Sequence, residues 1–509
     1  MVEETANDTA LGAVAMHVTL RWYSAFRKFE ASCSRARAAR IIPKVPRRRT
    51  DTLSLMTTAH PRVCVIGAGS SGLPVIKALK ERGIPVVCYE KTPNIGGLWC
   101  IGNRTFGASA AYDSLHINTD TRMMEYRDHP MSPDIPAYPG HAEIHRYFES
   151  YARRFDLYPH IRFETPVTHA ARRSDGVWDI TAGGEHSQFD ALVVANGHHW
   201  DPSWPKPYPG HFSGEQIHSH DYRNPTEPIA TRGKRVLVVG IGNSAVDIAS
   251  ELGHRSAGAR CILSMRRGAW IMPKWVLGFP LTRPFVHVPH WFPWRLGALI
   301  LDVTARLVFG TPMNYGLPKP DHRWLRAHPT ISQDFYSRLG HGDILVKPAI
   351  RSFEGRTVRF VDDSAEEVDL IIWCTGYKVS FPFFDPGWLQ TEGNHVPLWQ
   401  RMILPGIDNL FFVGLFQPLG SVMQPAELQA KVIADYLCGE VAFPDVETMR
   451  REMIRMQLAN DRRFVKSARH TMEVDFVPFL HSLRKLRTRG RKLAAAKRTP
   501  APSMRERAS

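Results

Sequence analysis

Residues 67–72 read Gly67-Ala68-Gly69-Ser70-Ser71-Gly72, a GxGxxG pattern. In such a pattern the first glycine permits a tight turn and the second lets the backbone approach a pyrophosphate. The third lets a helix pack closely on a strand. A helix that starts there offers unpaired N–H groups and the positive end of its dipole to phosphate oxygens. Glu90 stands 18 residues beyond Gly72, at the end of the next apolar run. A carboxylate in that position bonds both hydroxyls of a ribose. These residues predict a cradle for a dinucleotide whose ribose lacks a 2′-phosphate, and FAD meets that description.

A second pattern, Gly240-Ile241-Gly242-Asn243-Ser244-Ala245, is a GxGxxA variant, and Asp247 follows in the helix behind it. The next apolar run ends without an acid; Ser264, Arg266, Arg267 and Gly268 stand there instead. A carboxylate would repel a 2′-phosphate, whereas a guanidinium binds it. Gly240, Gly242, Asn243, Ser244, Ala245, Asp247, Ser264, Arg266 and Arg267 are therefore the expected contacts of NADPH. Two cradles of unequal preference imply an electron path, with NADPH giving hydride to FAD.

Both turns need a strand before them and a helix after. Arg62–Ile66 is a short β-branched run of the kind that forms a buried parallel strand. Ser71–Arg82 has helical spacing and stops at Gly83, and Pro85–Tyr89 is the next strand. The echo is a strand at Lys234–Val239, a helix at Ser244–Leu252 and a strand at Arg260–Met265. Between the two units the pattern predicts a helix at His141–Phe155 and strands near Ile161–Phe163, Val177–Thr181 and Phe189–Ala195. Strands follow at Thr357–Val361, Val368–Trp373 and Leu410–Val413, then a helix at Ala426–Cys438.

The fold class expected is α/β, with two Rossmann-like dinucleotide-binding domains and the NADPH domain inserted in the FAD domain. The boundaries read as a basic extension at 1–60, the first part of the FAD domain at 61–227 and the NADPH domain at 228–340. The FAD domain resumes at 341–445, and a helical segment with a basic tail fills 446–509. The first strand begins just after Met56, so Met56 is a possible start and residues 1–55 are expected to add little to the fold.

Further motifs resemble the flavin-containing monooxygenases that oxidise soft nitrogen and sulfur. Gly96-Gly97-Leu98-Trp99 is similar to that family's GGxW segment beside the flavin. Tyr112-Asp113-Ser114-Leu115 with Asn118 resembles its YxSLxxN segment, and Phe212, Gly214, His218 and Tyr222 match its FxGxxxHxxxY/F sequence. Cys374-Thr375-Gly376-Tyr377 with Phe381-Pro382 resembles its ATGY…FPF strand end, with Cys in place of Ala. Gly420 to Gln429, including Gln424, resembles its C-terminal flavin-contacting segment. The likeness covers roughly residues 62–480.

The resemblance implies that Gly97, Leu98, Trp99, Asn118, Thr375, Gly376 and Gln424 contact FAD. It implies a reaction of reduced FAD with O2 to a flavin 4a-hydroperoxide, whose distal oxygen goes to an amine or sulfide. Asn118 is then the catalytic candidate, as a hydrogen-bond donor to that species or to NADP+ beside it. His218 is implied to link the two domains and assist NADPH binding; a loop histidine with satisfied bonds is an equal reading. Baeyer–Villiger relatives carry Trp where this chain has Tyr222, which favours heteroatom oxidation over a ketone-oxidising alternative.

Composition narrows the remaining classes. The net charge of +16 is concentrated at the termini, with +5 in residues 1–60, +9 in residues 481–509 and +2 in the body between. Such tails suit solvated segments or peripheral contact with an anionic membrane; no nucleic-acid partner is expected, and a basic-tailed binding protein on a vestigial flavin fold is the alternative from another class. The seven cysteines are scattered without a CxxC pair. That argues against a disulfide reductase, a disulfide framework or a metal site, and suits a cytoplasmic protein. The stretch Trp270–Gly340 holds Trp270, Trp275, Trp291, Trp294 and Trp324 and has no clear period. Core packing is the first reading of it, with a substrate channel or membrane contact as others.

Overall fold

The computed structural model describes residues 60–498, apart from 277, 284–298, 300–302, 304–309, 325, 328, 390 and 466–470. The expectations for residues 1–59, for Trp291 and Trp294 and for the tail beyond 498 lie outside the described residues.

Two five-stranded parallel sheets organise the chain. The first has the order Leu410–Phe412, Ala191–Val194, Val63–Ile66, Val86–Tyr89, Ile161–Arg162. Its central strand, Val63–Ile66, is buried along its whole length, as a run of apolar residues without alternation requires when both faces are covered. Helix α1, Gly72–Lys80, follows the first glycine turn and buries Leu73, Val75, Ile76 and Leu79. Helix α2, His141–Arg154, places Ile144, Tyr147, Phe148 and Tyr151 in the same core.

The second sheet has the order Glu215–His218, Leu370–Trp373, Arg235–Val239, Arg260–Ser264, Ile344–Lys347. Helix α3, Asn243–Leu252, follows the second glycine turn. The membership of three strands departs from the expected boundaries at 227 and 340, Ile344–Lys347 being one of them. Glu215–His218 and Leu370–Trp373 pair with each other in the second sheet, not the first. Thr357–Phe360 also belongs with this half, in a small sheet with Ile350–Gly355 and Gly210–Phe212. The second unit thus draws on residues 210–373. Parallel strands are joined by long crossovers, so proximity in sequence does not tell which sheet a strand enters.

The C-terminal part differs from the solvated tail anticipated. Helix α4, Met423–Leu437, packs on α1, and α5, Val446–Arg463, comes next. Helix α6, Phe476–Arg498, then docks on α4 with Phe479, Leu480, Leu483, Leu486 and Ala494 buried. Gly490 lets α6 run close to the segment that follows α4, because a Cβ there would lie 2.5 Å from a Val441 methyl and 3.1 Å from the Ala442 carbonyl oxygen. The arginines are engaged as well: Arg487 reaches the carboxylate of buried Asp435 at 2.6 Å and Arg491 reaches it at 3.1 Å, with Arg82 on the same acid. Burial alone would raise the Asp435 carboxyl, yet these guanidinium groups hold it below its ordinary range.

The aromatic stretch after residue 270 splits between roles. Trp270 and Trp324 pack with Met272, Leu281 and Ile331 in a small separate core, while Trp275 is exposed. No described helix is long and apolar enough to cross a membrane.

Candidate functional site

The carboxyl ends of the first sheet's strands open on a cavity of about 600 Å³, within the range of cofactor sites. Gly67, Gly69, Ser70 and Ser71 of the first turn line it, and so do Glu90, Gly97, Leu98, Trp99 and Asn118.

The turn is built by close approach. Gly67 has φ +98°, and a Cβ on it would stand 2.8 Å from the Ala195 carbonyl oxygen. A Cβ on Gly72 would stand 1.9 Å from the Gly67 carbonyl oxygen, so this position admits glycine alone. Gly72 and Ala68 lie behind the turn rather than in the cavity wall. Glu90 is buried and already oriented: one oxygen accepts from the Ala68 N–H at 2.7 Å, the other from Thr92 N–H at 3.1 Å and Thr92 Oγ1 at 2.8 Å. Asn118 is different. Its side-chain oxygen is buried without a hydrogen-bond partner among the described residues. An orphan acceptor of this kind is costly unless a bound group meets it. The backbone slot at the turn, the anchored Glu90 and the open Asn118 together fit FAD.

Around the second turn the picture is more open. Gly240 has φ +136°, and a Cβ there would meet the Cys374 carbonyl at 2.6 Å. Asn243 lines the cavity from α3, its oxygen accepting from Ile331 N–H at 2.9 Å. Gly242 caps α3, and Ala245 is buried behind it. Ser244 and the other expected NADPH contacts stand outside this cavity. Arg266 and Arg267 are both exposed, and Arg267 pairs with Asp321 at 3.4 Å. The exposed guanidinium groups that follow the strand paired with the one before the turn fit NADPH.

Several expected contacts are placed elsewhere. Ser264 is buried and gives its hydroxyl to the Pro348 carbonyl at 2.7 Å. Asp247 accepts from the Tyr112 hydroxyl at 2.5 Å. Thr375 gives its hydroxyl to the Ser203 carbonyl at 2.6 Å, and Gly376 accepts from Ser203 N–H; neither lines the cavity. Gln424 is buried and donates to the carbonyls of Arg122 and Met123, both at 3.2 Å. Its neighbours Ser421, Val422 and Met423 form the wall in its place. A segment likeness cannot tell which face of a helix start meets the ligand, since successive residues point in different directions.

The Phe212-to-Tyr222 motif is structural in its ends. Phe212 packs on Phe353, and Gly214 is required because a Cβ would fall 2.5 Å from the Phe212 ring. Tyr222 is buried with its hydroxyl on Glu251 at 2.9 Å. His218 is fully buried and accepts from the His220 N–H at 3.1 Å. Burial, with His220 beside it, pushes its imidazole down to about 4, so it is neutral at physiological pH.

Other cavity residues were not singled out in sequence. Asn196, His198, His199 and Trp200 follow the strand Ala191–Val194, at its carboxyl end. The rule that ligands bind outside the carboxyl ends of parallel strands could have found them. Phe476 and Val477 close the wall from α6, and no local signal marks them.

A family model described as flavin-binding monooxygenase-like matches residues 60–493. The chain belongs to that family. Flavin-containing monooxygenase 5 of Oryctolagus cuniculus is 34% identical over 448 residues, which cover 84% of this chain and 82% of the relative. Dimethylaniline monooxygenase [N-oxide-forming] 2 of Rattus norvegicus is 34% identical, covering 83% and 82% respectively. Among solved structures, an S-allyl-L-cysteine S-oxygenase from Allium sativum superposes with a TM-score of 0.61 at 22% identity, over 87% of this chain and 94% of its own. An ε-caprolactone-bound cyclohexanone monooxygenase gives 0.63 at 18%, over 86% and 98%. These structures share the fold. The protein is a flavoprotein monooxygenase that uses FAD, NADPH and O2 on a small molecule.

Proposed function

We propose that the protein oxygenates a soft nitrogen or sulfur atom, that the first turn with Glu90, Gly97, Leu98 and Trp99 holds FAD, and that the second turn with Arg266 and Arg267 holds NADPH. The observation that carries this is Asn118, in the wall of the cavity that the first turn lines, whose buried side-chain oxygen has no hydrogen-bond partner among the described residues and so leaves the amide to be met by a bound group. Bound FAD supplies the hard chemistry, accepting hydride from NADPH and activating O2. The protein's own part is to bind, to orient and to keep water out. Ile117, Met123, Phe383, Phe416 and Phe476 give the wall its apolar surface, which disfavours water beside the reacting atoms. The Asn118 amide donates a hydrogen bond toward the oxygen being transferred, and one such donor is worth roughly 3 kcal/mol in a dry site. Nitrogen oxidation is supported by the name of the rat relative, and Tyr222 in place of Trp supports a heteroatom substrate.

Asn118→Ala is expected to keep FAD but to turn the enzyme into an NADPH oxidase that releases H2O2. Product per NADPH, measured with H2O2 alongside, checks this; an unchanged yield rules the role out. Offering a sulfide and a cyclic ketone together tests the chemistry, since lactone as main product would favour the Baeyer–Villiger reading.

Contact with an anionic membrane belongs to the same proposal. Ile454 and Leu458 are exposed one turn apart on α5, beside exposed Arg451, Arg455 and Arg462. Apolar side chains flanked by cations suit an interfacial helix. Sedimentation with phosphatidylserine vesicles at low salt, lost at high salt or in Ile454→Ser/Leu458→Ser, is the expected result. No sedimentation at low salt would discard the contact.

A further inference from the structure

Two acids on α3, Asp247 and Glu251, are spaced four residues apart and so share a helix face. Each receives a tyrosine hydroxyl from outside the helix. Tyr112 donates to Asp247 at 2.5 Å, and Tyr222 donates to Glu251 at 2.9 Å. Ser114 adds a third bond, to Glu251 at 3.1 Å. Both tyrosines are buried, and their rings meet edge to face at 6.3 Å. The two tyrosine segments are also tied to each other: Asp113 N–H donates to the Arg223 carbonyl at 2.9 Å, and Asn224 donates to Asp113 at 2.7 Å.

A phenylalanine would fill the same space against this core. Aiming a hydroxyl at a carboxylate costs desolvation of both groups, and such networks specify one arrangement rather than add much stability. The arrangement specified concerns the cavity. Three residues after Tyr112 the wall begins, with Leu115 to Thr119 all lining it. That strip is stiff: Leu115 N–H bonds the Tyr112 carbonyl, His141 N–H bonds the Leu115 carbonyl, and Ile117 N–H bonds the Pro139 carbonyl. A shift at Tyr112 is therefore passed to Asn118. At the other end of the clasp, α3 begins with Asn243, itself in the cavity wall.

We propose that Asp247 is a positioning residue for oxygen transfer: through the Tyr112 hydroxyl it fixes where the Asn118 amide stands relative to the helix of the second glycine turn. The proposal rests on the reading of Asn118 given above. Misplacement of reacting groups by an ångström is enough to cost a large factor in rate. The clasp thus acts on coupling, the share of NADPH that ends in product, more than on binding.

Charge at the clasp gives a second handle. Burial raises the Asp247 carboxyl to about 6, against the Tyr112 bond and the charges of Lys274 and His116, with Asp334 adding to the rise. Above pH 6 the bond is charge-assisted; below it Asp247 holds a proton and the bond weakens to a neutral one. Coupling in the native enzyme should therefore fall as pH drops through about 6.

The test uses the FAD-loaded enzyme and measures product, H2O2, flavin content and the NADPH KM. Tyr112→Phe should lower product per NADPH roughly tenfold, the size of a lost hydrogen bond to a charged group. Flavin content should stay full and the NADPH KM should stay within about twofold. Asp247→Ala should match it, and the double variant should be no worse than either single, as expected for two ends of one interaction. Asp247→Asn keeps only a neutral acceptor for the hydroxyl; its coupling should sit near the level the native enzyme shows below pH 6 and should lose the step near pH 6. Native coupling in Tyr112→Phe overturns the proposal, as does an Asp247→Ala variant that raises the NADPH KM with coupling intact. Should Tyr112→Phe fail to retain flavin, the pH profile of Asp247→Asn decides, and a surviving step overturns. Loss of coupling in Asn118→Ala alone sinks the clasp, whereas native coupling in Asn118→Ala sinks the reading beneath it.

Discussion

At the first glycine turn the acid proposed to bind a ribose is buried; at the second, the cations proposed to bind a phosphate stand in solvent. Glu90 is buried, with three hydrogen bonds from Ala68 and Thr92 that hold its oxygens in place. Arg266 and Arg267 are exposed, and one of them shares its charge with Asp321. If Glu90 holds FAD and the arginines hold NADPH, as proposed, the first ligand is gripped by a buried group in a cavity wall and the second by groups exposed to solvent. That division suits a cofactor that stays through many turnovers and another that is consumed in each. The difference teaches that one glycine pattern serves residence or exchange according to what the fold packs around it.

The third position of each turn offers the harshest way to break this comparison. Gly72→Ala forces a methyl to within 1.9 Å of a backbone oxygen, which flexible side chains cannot relieve. A loss of about 3 kcal/mol or more is expected, together with loss of bound flavin. Ala245 occupies the corresponding place in the second turn, and its methyl is buried without conflict. Ala245→Gly should cost about 1 kcal/mol and leave flavin bound. Thermal melting with flavin absorbance reads both; equal losses would mean that the two turns are not differently packed.

Smaller effects sharpen the second turn. Arg266→Ala should raise the NADPH KM roughly tenfold and leave the NADH KM nearly unchanged, as for loss of a charge-assisted bond to a phosphate. Arg267 is already paired at 3.4 Å, so Arg267→Ala should raise it by about threefold or less. Steady-state kinetics with both nucleotides checks this, and equal effects on NADH would place the 2′-phosphate elsewhere.

The two turns were legible in sequence because the constraint is local: a glycine is needed where backbone meets backbone, and its neighbours are a few residues away. Asn118 and Gly97 to Trp99 were named from family likeness, and they line the cavity. Thr375, Gly376 and Gln424 were drawn from the same source and lie outside it, since likeness of a segment carries no side-chain direction. The sheet to which Leu370–Trp373 belongs was not legible, because an apolar run reads alike in either sheet. The docking of α6 was hidden by its own composition. Its arginines read as a solvated run, and Asp435, the acid that pairs with them, lies some 50 residues earlier.

Phe476 and Gly67 line one cavity, although more than 400 residues separate them in the chain. A wall joined over that distance cannot form from either sheet alone, however well its strands have paired. Contacts so remote in sequence are the slowest to be made during folding. If flavin binds in this cavity, as proposed, its retention reports that the two ends of the described chain have come together.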